Sequence, residues 1–154
     1  KHSTFNIKEN HGEATGKFAK HSTFNIKENH GAYSGTNADN CTFNIKENHG
    51  KRVGEHARNS TFNIEENHGK RVGIGAYKST FNIKENIGEQ VGIEATNCIF
   101  KSPNKETLDS IIPKLEDNSS YNWSKSNPWN ILWSKKPWNK FYLIKDGKEI
   151  PYRK

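Results

Sequence analysis

Polar and apolar positions alternate in short bursts along the first hundred residues. Ser3, Phe5 and Ile7 share one parity, and Thr4, Asn6 and Lys8 share the other. A period of two predicts a β-strand with one buried face. The burst ends at Asn10-His11-Gly12. Asn and Gly tolerate positive φ, so a corner is expected there. A second, weaker alternation follows, clearest at 71–76 and 90–95. Val72, Ile74 and Ala76 share a parity in the first of these. Each unit therefore reads as two strands and two corners. The inward set is the Ser/Cys, Phe and Ile positions plus Val53, Val72, Val91, Ile74, Ile93 and the alanines.

The burst returns every 19 residues, beginning at Ser3, Ser22, Cys41, Ser60 and Ser79, with a sixth start at Cys98-Ile-Phe100. One such unit cannot bury its own apolar face, so the units must stack. The predicted fold is all-β: a parallel β-solenoid of about five 19-residue coils over residues 1–100, roughly 24 Å long. All five prolines fall at Pro103 or later. That placement fits, because proline cannot donate to a ladder.

After Phe100 the pattern changes. Leu108, Ile111, Ile112 and Leu115 form a helical stripe, which predicts a helix within 101–117 that covers the open edge of the last coil. Ser102 or Asn104 is its expected N-cap, and Pro113 is expected to kink it or hold it to a few turns. Residues 118–154 form a tail rich in Trp and Lys. Its end, Phe141–Ile144, Asp146-Gly147 and Glu149–Tyr152, reads as a hairpin.

Composition adds to this picture. A hydrophobic content of 31% is low enough for disorder, but strict phasing favours a thin core shared between coils. The chain contains no Met, which suggests a processed product or fragment whose array continues upstream. Cys41 and Cys98 occupy the Ser position of their coils. Three coils separate them by roughly 14 Å, too far for a disulfide. Both read as small, buried, reduced side chains, which leans towards a cytoplasmic compartment.

Stacking turns each repeated residue into a column. Asn10, Asn29, Asn48, Asn67 and Asn86 are expected to hydrogen-bond along the axis and satisfy corner backbone. His11, His30, His49 and His68 form an exposed corner column whose rings diverge from any single ion, so no metal is predicted. Lys8, Lys27, Lys46, Glu65 and Lys84 form a charge-balanced edge beside a Glu row. Over the first 96 residues, 13 Lys and Arg stand against 11 acids, which makes nucleic acid an unlikely partner.

Thr4, Thr23, Thr42, Thr61 and Thr80 run beside Asn6, Asn25, Asn44, Asn63 and Asn82. This lattice of Thr-x-Asn rows resembles the ice-binding faces of β-solenoid antifreeze proteins. The resemblance covers one face and implies ice binding as an alternative function. The adjacent Lys column departs from it, since such faces are usually uncharged.

The tail carries Trp123, Trp129, Trp133 and Trp138 in two related segments, with Lys135 and Lys136 between them. Three readings are open: a cluster packed on the end of the array, an anionic-membrane docking surface, or a protein- or nucleic-acid-binding patch. No phosphate loop, nucleophile–base pair or isolated carboxylate pair is present. The sequence therefore predicts no catalytic residues and no cofactor. It points to a structural or interaction module, its partner another protein or the chain's own upstream domain.

Overall fold

The structure is a computed structural model, and it describes residues 2–117 and 139–152. Six strands follow one another in phase: β1 (Ser3–Asn10), β2 (Ser22–Asn29), β3 (Thr42–Asn48), β4 (Thr61–Asn67), β5 (Thr80–Asn86) and β6 (Ile99–Ser102). Each pairs parallel with the next in 19-residue register, for example Phe24 with Phe43 and Asn25 with Asn44. The fold is the expected β-solenoid of about five turns.

The core is one residue deep. Phe43, Phe62 and Phe81 are fully buried, and each ring lies flat on the next at centroid spacings of 5.0 and 5.1 Å. Ile26, Ile45, Ile64 and Ile83 run beside them, with Cys41, Ser60, Ser79 and Cys98 on the other flank. Phe5 is 46% exposed because its ring has a partner on one side only, Phe24 at 4.8 Å.

The second arm of each coil is not the expected strand. Its left-handed residues alternate with others: Tyr33, Gly35 and Asn37; Arg52, Gly54 and His56; Arg71, Gly73 and Gly75. Local turns hold the arm, such as Glu55 N–H to the Arg52 carbonyl at 3.2 Å. Successive left-handed residues donate to opposite neighbours. Arg52 donates to Lys70 at 2.8 Å, Gly54 to Ser34 at 2.9 Å and His56 to Ile74 at 2.8 Å. Alternating handedness still sends every second side chain inward, so Val53, Val72 and Val91 are buried as expected, with Ala38, Ala57, Ala76 and Ala95. Ile74 and Ile93 differ from expectation and are only half-buried.

Left-handed Gly16, Gly35, Gly54 and Gly73 face the phenylalanine column. A Cβ on Gly73 would lie 2.6 Å from Cζ of Phe81, and one on Gly54 2.8 Å from Cζ of Phe62. The corner glycines have a different cause. Gly31, Gly50, Gly69 and Gly88 are not left-handed. Each packs so tightly on the coil before it that a Cβ would sit 2.1–2.2 Å from that coil's Gly carbonyl oxygen.

Beyond β6, helix α1 (Lys105–Asp117) starts at Asn104, whose Oδ1 accepts the Glu106 N–H at 2.9 Å. It continues past Pro113 for a total of 13 residues. Leu108 and Ile111 are buried. The hairpin is as expected: β7 (Lys140–Lys145) and β8 (Lys148–Pro151) pair antiparallel across left-handed Asp146 and Gly147. The sequence did not show that β7 would join β6 in parallel, with Phe141 opposite Phe100. The aromatic column thereby gains another ring at 5.6 Å. Asn139 takes over the role of the Ser column, its Oδ1 accepting the Cys98 N–H at 2.9 Å.

Replacing Gly73 with Ala forces both a left-handed Ala and a clash with Phe81. The expected cost is about 2–3 kcal/mol, read as a lower urea midpoint with an unchanged slope. Gly147→Ala, whose Cβ would meet nothing within 4 Å, should cost clearly less.

Candidate functional site

Two amide columns organise each coil, one inside and one outside. The inner column is buried at Asn10, Asn29, Asn48 and Asn67. Nδ2 of each donates to Oδ1 of the next, at 2.6 Å for Asn10 to Asn29 and 2.7 Å for Asn29 to Asn48. Corner backbone completes the set: Asn48 Oδ1 accepts the Gly50 N–H at 3.2 Å, and Asn48 Nδ2 donates to the Gly50 carbonyl at 3.3 Å. The run ends on the helix, where Asn86 Nδ2 donates to Ser110 Oγ at 3.1 Å. This column is the expected structural ladder.

The outer column faces solvent on the strands. Asn25 donates to Asn6 and Asn44 to Asn25, both at 2.8 Å; Asn63 donates to Asn44 at 2.7 Å and Asn82 to Asn63 at 2.6 Å. Thr4, Thr23, Thr42, Thr61 and Thr80 stand beside them in register, Thr4 exposed and the others half-buried. All ten Thr and Asn residues of the ice-face reading thus lie on one sheet face.

On the other side of the outer amides runs the lysine column. A shallow groove lies between the two, floored by the strand backbone at the Ile positions and extending from Asn6 and Lys8 to Lys84. Lys101, Pro103, Ile144 and Glu149 line its last stretch, and Lys101 and Glu149 form an ion pair there. No local pattern points to these last contributors, because the hairpin brings in two of them from more than 40 residues away. Lys27 pairs with Glu28 at 3.3 Å and Lys8 approaches Glu9 at 4.0 Å. Lys46, Glu65 and Lys84 are exposed and form no salt bridge among the described residues.

The histidine column is a stack. His11, His30, His49 and His68 lie ring on ring at 4.7–4.9 Å, within 12° of parallel. His11 and His68 approach Glu9 and Glu66 at 3.6 and 3.7 Å. Among the described residues, no three His, Cys, Asp or Glu side chains converge on a point that could hold a metal. The tail residues Trp123, Trp129, Trp133, Trp138, Lys135 and Lys136 lie outside the described residues.

Both cysteines are free and buried. Burial raises the Cys41 thiol and pushes Cys98 up to about 11 from its ordinary 9.0, against weaker opposing hydrogen bonds from backbone. Asp109 accepts the Tyr152 hydroxyl at 2.7 Å and, chiefly through that bond, holds the phenol up at about 12.

The Cys98 shift has a definite sign. The folded thiol holds its proton more tightly than the unfolded one, so the unfolded chain ionises first. The stabilisation is complete below about pH 9 and is lost as pH rises towards 11, by about 2–3 kcal/mol. Cys98→Ser places the residue of the other coils at this position and removes the effect. Denaturant melts at pH 8, 9, 10 and 11 should show wild type losing more stability than Cys98→Ser across that range.

Searches with family models, against curated proteins and against solved structures found no match.

Proposed function

We propose that this chain is a non-catalytic interaction module that presents a ruled sheet face to an extended partner. The observation that carries this reading is the outer amide ladder. Asn6, Asn25, Asn44, Asn63 and Asn82 hold one another in fixed orientation, so little side-chain freedom remains to be lost on binding. Asn25, Asn44 and Asn63 each use one N–H and one lone pair in the ladder and keep the others for a partner.

The same geometry argues against catalysis. Acid–base and nucleophilic chemistry needs unlike groups converging on one reacting atom. Here like groups repeat side by side and point the same way. Helix α1 and the β7–β8 hairpin fit a closing role, since they cover the last coil and shield its strand edge from other chains.

Ice binding is the second reading, favoured by the in-register Thr and Asn columns. The charged Lys46 and Lys84 on the same sheet weigh against it. Thermal hysteresis separates the two, with Thr42→Lys and Thr61→Lys as controls. We expect no hysteresis from the wild-type chain. Clear activity that these substitutions abolish would replace the module reading with ice binding.

A further inference from the structure

Building on the module reading, we propose that the groove between the outer Asn and Lys columns binds a linear acidic polysaccharide that carries its acid on alternate sugars. The groove runs across five strands, a length of roughly 19–24 Å at one coil per 4.8 Å. It therefore suits an extended polymer rather than a compact ligand. Lys8, Lys27, Lys46, Lys84 and Lys101 outnumber Glu65 and Glu149 along it, so the occupant is an anion.

The amides narrow the class of anion. The free half of each ladder amide offers one donor and one acceptor. A sugar hydroxyl supplies both in return. A phosphate chain supplies acceptors only and would leave the Asn oxygens desolvated and unpaired. An acidic peptide fails on spacing. Same-side residues of an extended strand recur at about 6.8 Å, out of step with coils whose stacked rings lie 4.7–5.1 Å apart. A sugar unit of an extended β-linked chain is close to one coil in length. Among the described residues, the groove lining also lacks the aromatic platforms on which single-stranded nucleic acid stacks.

The lysine column sets the alternation. Lys27 is engaged by Glu28 at 3.3 Å, while Lys46 and Lys84 form no salt bridge among the described residues, and Glu65 lies between them. Reading along the axis, the order is cation, anion, cation over two coils. A carboxylate on every sugar would place one against Glu65. An acidic sugar, a neutral sugar and an acidic sugar meet Lys46, Glu65 and Lys84 in turn, with Glu65 accepting from a hydroxyl.

The test is calorimetric titration of the full chain at low ionic strength with four probes: hyaluronan oligosaccharides, which alternate acid and neutral sugars; oligomannuronate, also β-linked but acidic at every sugar; inorganic polyphosphate; and oligoglutamate. Saturable binding strongest for hyaluronan, weakening as salt rises, is expected. Lys46→Gln with Lys84→Gln should weaken it about tenfold at an unchanged melting temperature, and Lys→Arg at both positions should restore it. Glu65→Gln should raise affinity for oligomannuronate more than for hyaluronan. Tighter binding of oligomannuronate, polyphosphate or oligoglutamate, or hyaluronan binding indifferent to Lys46 and Lys84, would overturn the proposal, as would the absence of binding. That last result leaves the module reading intact. Hyaluronan recovered in shortened chains, with binding still dependent on Lys46 and Lys84, would support the site and overturn the non-catalytic reading.

Discussion

From Phe24 to Phe81, each ring of the phenylalanine column is held between two surfaces that leave it no slack. Above and below lie the rings of neighbouring coils, 4.7–5.3 Å away from Phe24 to Phe100. Across the coil lies a left-handed glycine, so close that a methyl group would overlap the ring edge. These contacts fix both the rise and the width of the coil. Such a core is only one side chain thick, so it cannot absorb an error by repacking at depth. A displaced ring is felt directly by the coils on either side. This is the reason the Phe and Gly positions keep one 19-residue phase while second-arm positions such as Ala14, Tyr33, Arg52, Arg71 and Gln90 vary.

A thin core also brings polar backbone close to the interior, and the corners show how it is satisfied. At Asn48 all the amide's bonding capacity is used, by Asn29, Asn67 and both polar groups of Gly50. The outer amides repeat the same interaction without backbone partners and under solvent. The two ladders look alike in sequence and differ in energetic weight. Truncating Asn48 to Ala would strand several buried groups at about 1–3 kcal/mol each, whereas Asn44→Ala removes two solvated bonds and should cost under about 1 kcal/mol. Chemical denaturation of the two variants measures the difference directly.

Much of the fold was legible from sequence because strand parity and a 19-residue period are independent signals that agree. Together they place Phe43 and Ile45 inside and Asn44 outside. The second arm differs from the expected strand for a physical reason. A strand and a chain of alternating handedness both send every second side chain to one side, so Val53 and Ala57 fit either. The distinguishing signal was the glycine between them. Gly16, Gly35, Gly54, Gly73 and Gly92 recur in strict phase at a site where a strand would favour a side chain. Other features lay beyond any local pattern. Phe141 extends the aromatic column from 41 residues beyond Phe100, and Lys101 meets Glu149 only because β7 pairs with β6. The Thr and Asn faces were readable as columns, but the groove beside them needed the hairpin to define its end.

In a chain built from near-identical coils, the departures from the repeat carry most of the chemical information. A uniform lysine column would place like charges side by side along the whole face and would distinguish one polyanion from another only by charge density. Glu65 breaks that uniformity at one coil, and Glu28 engages Lys27 at another. What remains is a spaced pair of cations, Lys46 and Lys84, set in an otherwise regular row of amides. The ladder beneath does not change from coil to coil, so the backbone and the Asn side chains supply a constant frame. Specificity then rests on a few side chains that alter charge without disturbing the core. Such a surface can be retuned one residue at a time, because the exposed Lys positions take no part in the Phe–Gly interlock that sets the coil.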